Sequence, residues 1–186
     1  METPSITQSD LPSFVMPTPG SLWEFASHVY GSPAVEQHTI SLQDECNANI
    51  NIMLWCCWLE AEGVRLSANL LDEVLITIDA LSIQTVGKLR EARRELERSG
   101  GFTKVQALSI KKHILNAELA IEKVLLHRLQ DMTCRFLEAK EYREMCANDP
   151  ELTLEYYLHF INVPDAREHA SRFEAECRKK DALEES

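Results

Sequence analysis

Two adjacent cysteines between two tryptophans, in "NINIMLWCCWLE" (Asn49 to Glu60), are the residues whose chemistry would matter most if they were accessible. Thiols suit metal binding or redox exchange, but both uses require sulfurs that converge. Neighbours on a helix project about 100° apart, so Cys56 and Cys57 cannot readily share an ion or close a disulfide. The sequence contains no Cys-x-x-Cys pair. Nine of the ten residues from Ile50 to Leu59 are apolar, and a helix apolar on nearly every side must be surrounded by protein. The pair therefore reads as small hydrophobes filling the centre of a helical assembly. Trp55 and Trp58 supply most of that helix's burial energy, roughly 4–6 kcal/mol each as an upper bound before entropy is charged. Their indole N–H groups need acceptors. Asn51, four residues before Trp55 and seven before Trp58, shares their stripe and is either a satisfied buried amide or the polar handle of a pocket.

Two further constellations carry polar chemistry. "LQDECNAN" crowds Gln43, Asp44, Glu45, Asn47 and Asn49 into the junction before the central helix. They can organise the turn and interact with the helix dipole, or form a polar site at the bundle mouth with Asp44 and Asn51 as its members. "KLREARRELER" sets Lys88, Arg90, Arg93, Arg94 and Arg98 against Glu91, Glu95 and Glu97. The i,i+3 pairs Glu91 to Arg94 and Glu95 to Arg98 suit a solvated, self-paired face. The alternative is a docking strip of Arg90, Arg93 and Arg94, used by a partner or by the protein itself. No metal ligand set, nucleophile elbow, phosphate loop or catalytic order is visible, so neither a cofactor nor a catalytic residue is assigned.

The elements that would position these groups are helical. Residues 1–20 hold four of the seven prolines and read as a mobile arm. "SLWEFASHVY" opens with Ser21 and Glu24 as a capping box, followed by a stripe containing Trp23 and Phe25. Pro33 starts the second helix, which turns Val35, Ile40 and Leu42 inward. Gly63 stops the third, Ser67 precedes the fourth, and "SIQTVGKLREARRELER" is a separate, charged fifth ending at Gly100–Gly101. From Thr103 to about Cys146 apolar residues keep helical spacing, and a break is expected near Asp131 to Arg135, because about 65 Å of unbroken helix exceeds a compact domain. "ANDP" (Ala147 to Pro150) marks a turn. A short aromatic helix and one carrying a thin seam of Ala166, Ala170, Phe173 and Cys177 follow. The expectation is an all-α, single-domain helical bundle around a central apolar helix: arm 1–20, bundle 21–146 and C-terminal helical extension 147–186.

The formal net charge is −11, and no Lys or Arg occurs before Arg65, whereas that stretch carries eight acids. Such a surface repels nucleic acid and anionic lipid heads and would welcome a basic protein partner. The N-terminus lacks the features of a secretory or mitochondrial leader, and no apolar run approaches a membrane span. A cytoplasmic protein with reduced thiols is expected.

The run from Leu22 to Gly63 carries Trp23 and Phe25, Tyr30 and Pro33, Leu42 to Asp44, Asn51, and Cys56 with Trp58 and Leu59. This order resembles an uncharacterised proteobacterial domain-of-unknown-function family of small all-helical cytosolic proteins, with "LREARREL" and "AELAIEKVLL" similar to its later helices. The resemblance covers roughly Ser21 to Leu129 and implies no established activity. Two functions are expected from different classes. One is a non-enzymatic interaction or adaptor bundle whose Ala166–Cys177 seam docks on a partner helix. The other is a small-molecule or lipid-binding protein, enzymes included, with a pocket lined by Trp23, Trp55 and Trp58 and entered past Asp44 and Asn51.

Overall fold

A computed structural model describes residues 21–64, 68–138 and 153–184. The arm, the "ANDP" turn and Ser67 lie outside the described residues. Within them are eight α-helices and no strand: α1 (Ser21–Tyr30), α2 (Pro33–Cys46), α3 (Ile50–Ala61), α4 (Ala68–Ser82), α5 (Lys88–Arg98), α6 (Lys104–Glu138), α7 (Thr153–Phe160) and α8 (Ala166–Glu184). The chain is an all-α bundle, with no described helix long and apolar enough to cross a membrane.

The α2–α3 corner is built from asparagines. Asn47 takes a left-handed φ of 56° and its N–H donates to the Gln43 carbonyl, ending α2 in the way that favours Asn or Gly. Two residues on, the Asn49 side-chain oxygen accepts from the Asn51 N–H at 3.1 Å and caps α3. Asn49 also donates its backbone N–H to the Tyr157 hydroxyl of α7 (2.7 Å) and its amide to Asp79 of α4 (3.1 Å). One residue thus ties the start of the central helix to two neighbours. Burial pushes the Asp79 carboxyl up, against the opposing hydrogen bond from Asn49.

Every residue of α3 from Asn51 to Leu59 is buried, so α3 is the axis of the bundle. Trp55 and Trp58 are 0% and 1% exposed. The Trp55 indole donates to the Thr133 hydroxyl of α6 at 2.9 Å, and that hydroxyl donates in turn to the Leu129 carbonyl. The Trp58 indole nitrogen has no hydrogen-bond partner among the described residues. Cys56 and Cys57 are buried in the core, Cys57 against the Cys177 thiol of α8, and burial pushes both thiols well above their usual range. A thiol held away from its thiolate form is packing material. Gly63, at a φ of +66°, closes the helix.

Four features depart from expectation. The fourth and fifth helices are one rod, joined through a π-helical segment, Ile83–Gly87: nothing between Ser82 and Lys88 breaks a helix, and a single Gly is tolerated inside one. Second, α6 runs unbroken through Asp131 to Arg135. Its 35 residues contain neither Pro nor Gly, and its length of about 52 Å fits because only its second half lies in the core, where Leu125, Leu126, Leu129 and Leu137 are buried. The first half pairs with α5 beyond Gly100–Gly101 and starts at a reciprocal Thr103–Gln106 capping box. Third, the seam of Ala166, Ala170, Phe173 and Cys177 is not free for a partner helix, because α8 spends it on α7, α2 and α1 inside the same core. Fourth, Ile40 points outward, 41% exposed, while Val35 and Leu42 face in.

The α2–α8 contact is polar at its centre. His38 places one ring nitrogen 3.1 Å from His169 and the other 3.4 Å from Glu176, with Phe173 edge-on to its ring. Burial lowers the His38 pKa from its ordinary 6.5, Glu176 opposes that shift, and Arg172 and His169 reinforce it. A histidine whose folded pKa is depressed favours the fold fully above its unfolded value and loses that advantage as pH falls through the folded one. The melting temperature should therefore drop as the pH falls below about 6.5, and His38→Gln should flatten that drop. Thermal unfolding of the two proteins across this range checks it; parallel profiles would dismiss His38 as the cause.

Candidate functional site

Where α5 and α6 lean over α1, α2 and the first turn of α3, a cavity of about 580 Å³ opens to solvent. Its apolar side is made by Trp23 and Ala26 of α1, Ile50 and Leu54 of α3, and Leu119 and Leu126 of α6. The opposite wall is ionic. Arg93 forks onto the buried Glu118 with contacts of 3.0 and 3.3 Å, and Arg90 reaches Glu122 at 2.8 Å. Arg90 also faces the Gln43 amide, whose oxygen, turned toward the guanidinium, accepts from it. Arg94 bridges to Asp44 of α2 at 3.8 Å; both are more than half exposed, so this contact contributes little. The Glu122 carboxyl is pushed up by burial and drawn down by Arg90, and the Tyr30 phenol beside it is raised, again by burial.

Of the residues singled out for ligand contact, the fold gathers Trp23, Asp44 and Asn51 around this one cavity, together with Arg90, Arg93 and Arg94. Trp55 and Trp58 do not line it. They lie deeper in the core, Trp55 against Thr133 in the second half of α6. The expected i,i+3 pairs Glu91–Arg94 and Glu95–Arg98 are not among the ion pairs of the described residues: Glu91 takes Lys88 three residues before it, Arg94 turns to Asp44 of α2, and Arg90 and Arg93 reach across the hairpin to α6. Glu118 and Glu122 escaped the sequence reading, although their i,i+4 spacing marks one helix face. Outside the cavity rim, the Lys123 ammonium sits 4.7 Å over the Trp23 ring and holds it in place. Among the described residues, no group of three or more His, Cys, Asp or Glu stands in metal-binding array.

A family model described as "Protein of unknown function (DUF2390)" matches residues 21–129. The chain belongs to that family. No curated protein and no solved structure matches it. The matched segment contains every side chain of the cavity wall and stops at Leu129, inside α6. Helices α7 and α8 lie beyond the match, yet Tyr157 and Phe173 complete the core around α3.

Proposed function

We propose that this is a non-enzymatic, cytoplasmic binding protein that takes a small amphipathic molecule into the cavity between α1–α3 and the α5–α6 hairpin. The observation that carries the reading is the cavity itself: its volume, about 580 Å³, falls in the range of ligand sites, and an apolar floor there meets a few fixed polar groups. Arg90 and Arg93 are already matched by Glu118 and Glu122, so the ionic wall is close to self-neutralised. That balance suits a neutral or zwitterionic head whose donors and acceptors interleave with the pairs, while the body packs on Trp23 and Leu54.

Trp23 alone among the three indoles borders the cavity, which makes it a built-in reporter. Titrating the protein with zwitterionic and neutral amphiphiles should shift or quench emission saturably, and Trp23→Phe should abolish the signal while Trp55 and Trp58 go on emitting unchanged. Emission indifferent to the whole panel would refute the reading. A second reading, a protein-interaction bundle, is supported by one observation: large apolar side chains stand exposed along the first half of α6.

A further inference from the structure

Along α6, Val105, Leu108, Lys112, Leu115, Leu119, Glu122, Leu126 and Leu129 follow one another at alternating spacings of three and four, the a/d rhythm of a coiled coil. The lower end of this seam is core, with Leu126 and Leu129 at 3% and 0% exposure. Among the described residues nothing covers its upper end: Val105 is 78% exposed, Leu108 67%, Leu115 42% and Leu119 55%. The half-buried Ile110, Ile114 and Ile121 lie on the opposite side of the helix, so pairing with α5 leaves the seam uncovered. From Ser99 to Ala117 there is no acidic residue, whereas Lys104, Lys111, Lys112 and His113 fall within it. Lys111 is held by Glu97, but neither Lys104 nor Lys112 has an ion-pair partner among the described residues.

We infer that the exposed seam from Val105 to Leu119 is a docking site for an acidic amphipathic helix of another protein. The inference rests on the interaction reading and not on ligand binding in the cavity. The geometry favours a helix over a membrane, because the seam runs about 21 Å and then dives at Leu119 into the cavity mouth between α1, α2 and α5, where a slender rod can follow and a flat bilayer cannot. Charge favours an acidic partner over a second copy. Another α6 would bring the same cations with no acid between Ser99 and Ala117, and parallel pairing would set Lys112 against Lys112.

The test uses the full-length chain and two labelled synthetic helices with leucine at a and d, one carrying glutamate and the other lysine at e and g. Fluorescence polarisation should show saturable binding of the glutamate helix, weakened about tenfold or more by L108S/L115S, with preference turning to the lysine helix in K104E/K112E. Because these side chains are exposed, all variants should keep the wild-type circular dichroism and melting temperature. Tighter binding of the lysine helix to wild type overturns the acidic class while leaving the seam as an interaction site. Binding of neither helix, or binding indifferent to L108S/L115S, removes the seam and the interaction reading together. Two outcomes reassign the surface and overturn the proposal: dimerisation of wild type in sedimentation that L108S/L115S abolishes, and flotation with phosphatidylglycerol vesicles that the same variant abolishes.

Discussion

Trp55→Ala should lower unfolding stability by about 3–5 kcal/mol, a large share of what a domain of this size possesses. The residue is fully buried on the axis of the bundle, and no neighbour can collapse far enough to fill the space of an indole. Urea unfolding should show the midpoint moving far down with little change in slope. Phenylalanine variants separate packing from hydrogen bonding. Trp55→Phe deletes a donor that Thr133 accepts, whereas Trp58→Phe deletes an N–H that has no partner among the described residues and is costly to bury. Trp55→Phe should therefore cost about 1 kcal/mol more than Trp58→Phe. Equal costs would mean that the Trp55–Thr133 bond contributes nothing net.

The second large effect lies in the cavity wall. Arg93→Met should destabilise the protein by about 3 kcal/mol, because Glu118 is 5% exposed and would keep only the longer, 3.9 Å contact with Arg90. Most of that cost belongs to the stranded carboxylate and not to the pair as such. The double variant Arg93→Met/Glu118→Met should accordingly recover most of the loss, since an apolar pair of similar volume replaces two desolvated charges. A double variant as unstable as the sum of the two single ones would show Arg93 and Glu118 to be energetically uncoupled, against the geometry. Arg94→Met is the internal contrast: its contact with Asp44 is solvent-exposed and should change stability by less than about 0.5 kcal/mol.

Much of the framework was legible from local pattern. The uninterrupted apolar run from Ile52 to Leu59 could only be a surrounded helix, Asn49 and Gly63 bracket it with their own backbone preferences, and Cys56 and Cys57 diverge because consecutive helical residues must. The polar residues before α3 and the arginines of α5 stood out by type alone. What pattern could not supply was their partners. Arg93 meets Glu118, 25 residues away, only because Gly100 and Gly101 let α5 fold back along α6 in one register. Local spacing within α5 foresaw only pairs along its own face, and of these the structure keeps Lys88 with Glu91 while Arg94 turns to Asp44 of α2. The same distance in sequence hid the Trp55–Thr133 bond, which spans 78 residues, and the burial of the Phe173 seam under α2.

Periodicity also misjudged where α6 could lie. The helical spacing was correct from end to end, but a break was expected because the whole helix was assumed to sit inside a compact body. The hairpin with α5 instead carries the first half clear of the core, which leaves Leu108 and Leu115 exposed although they keep the helical apolar spacing. By itself, then, the sequence determined that the chain is helical, which helix is central, and that its thiols and indoles are filling, because these follow from short-range backbone preference and the expulsion of apolar surface from water. Only the tertiary structure decided that Trp23, Asp44, Asn51 and the α5 arginines surround one cavity while Trp55 and Trp58 do not. Side chains far apart in sequence meet according to how rigid helices stack, and a stretch of local sequence carries no record of that stacking.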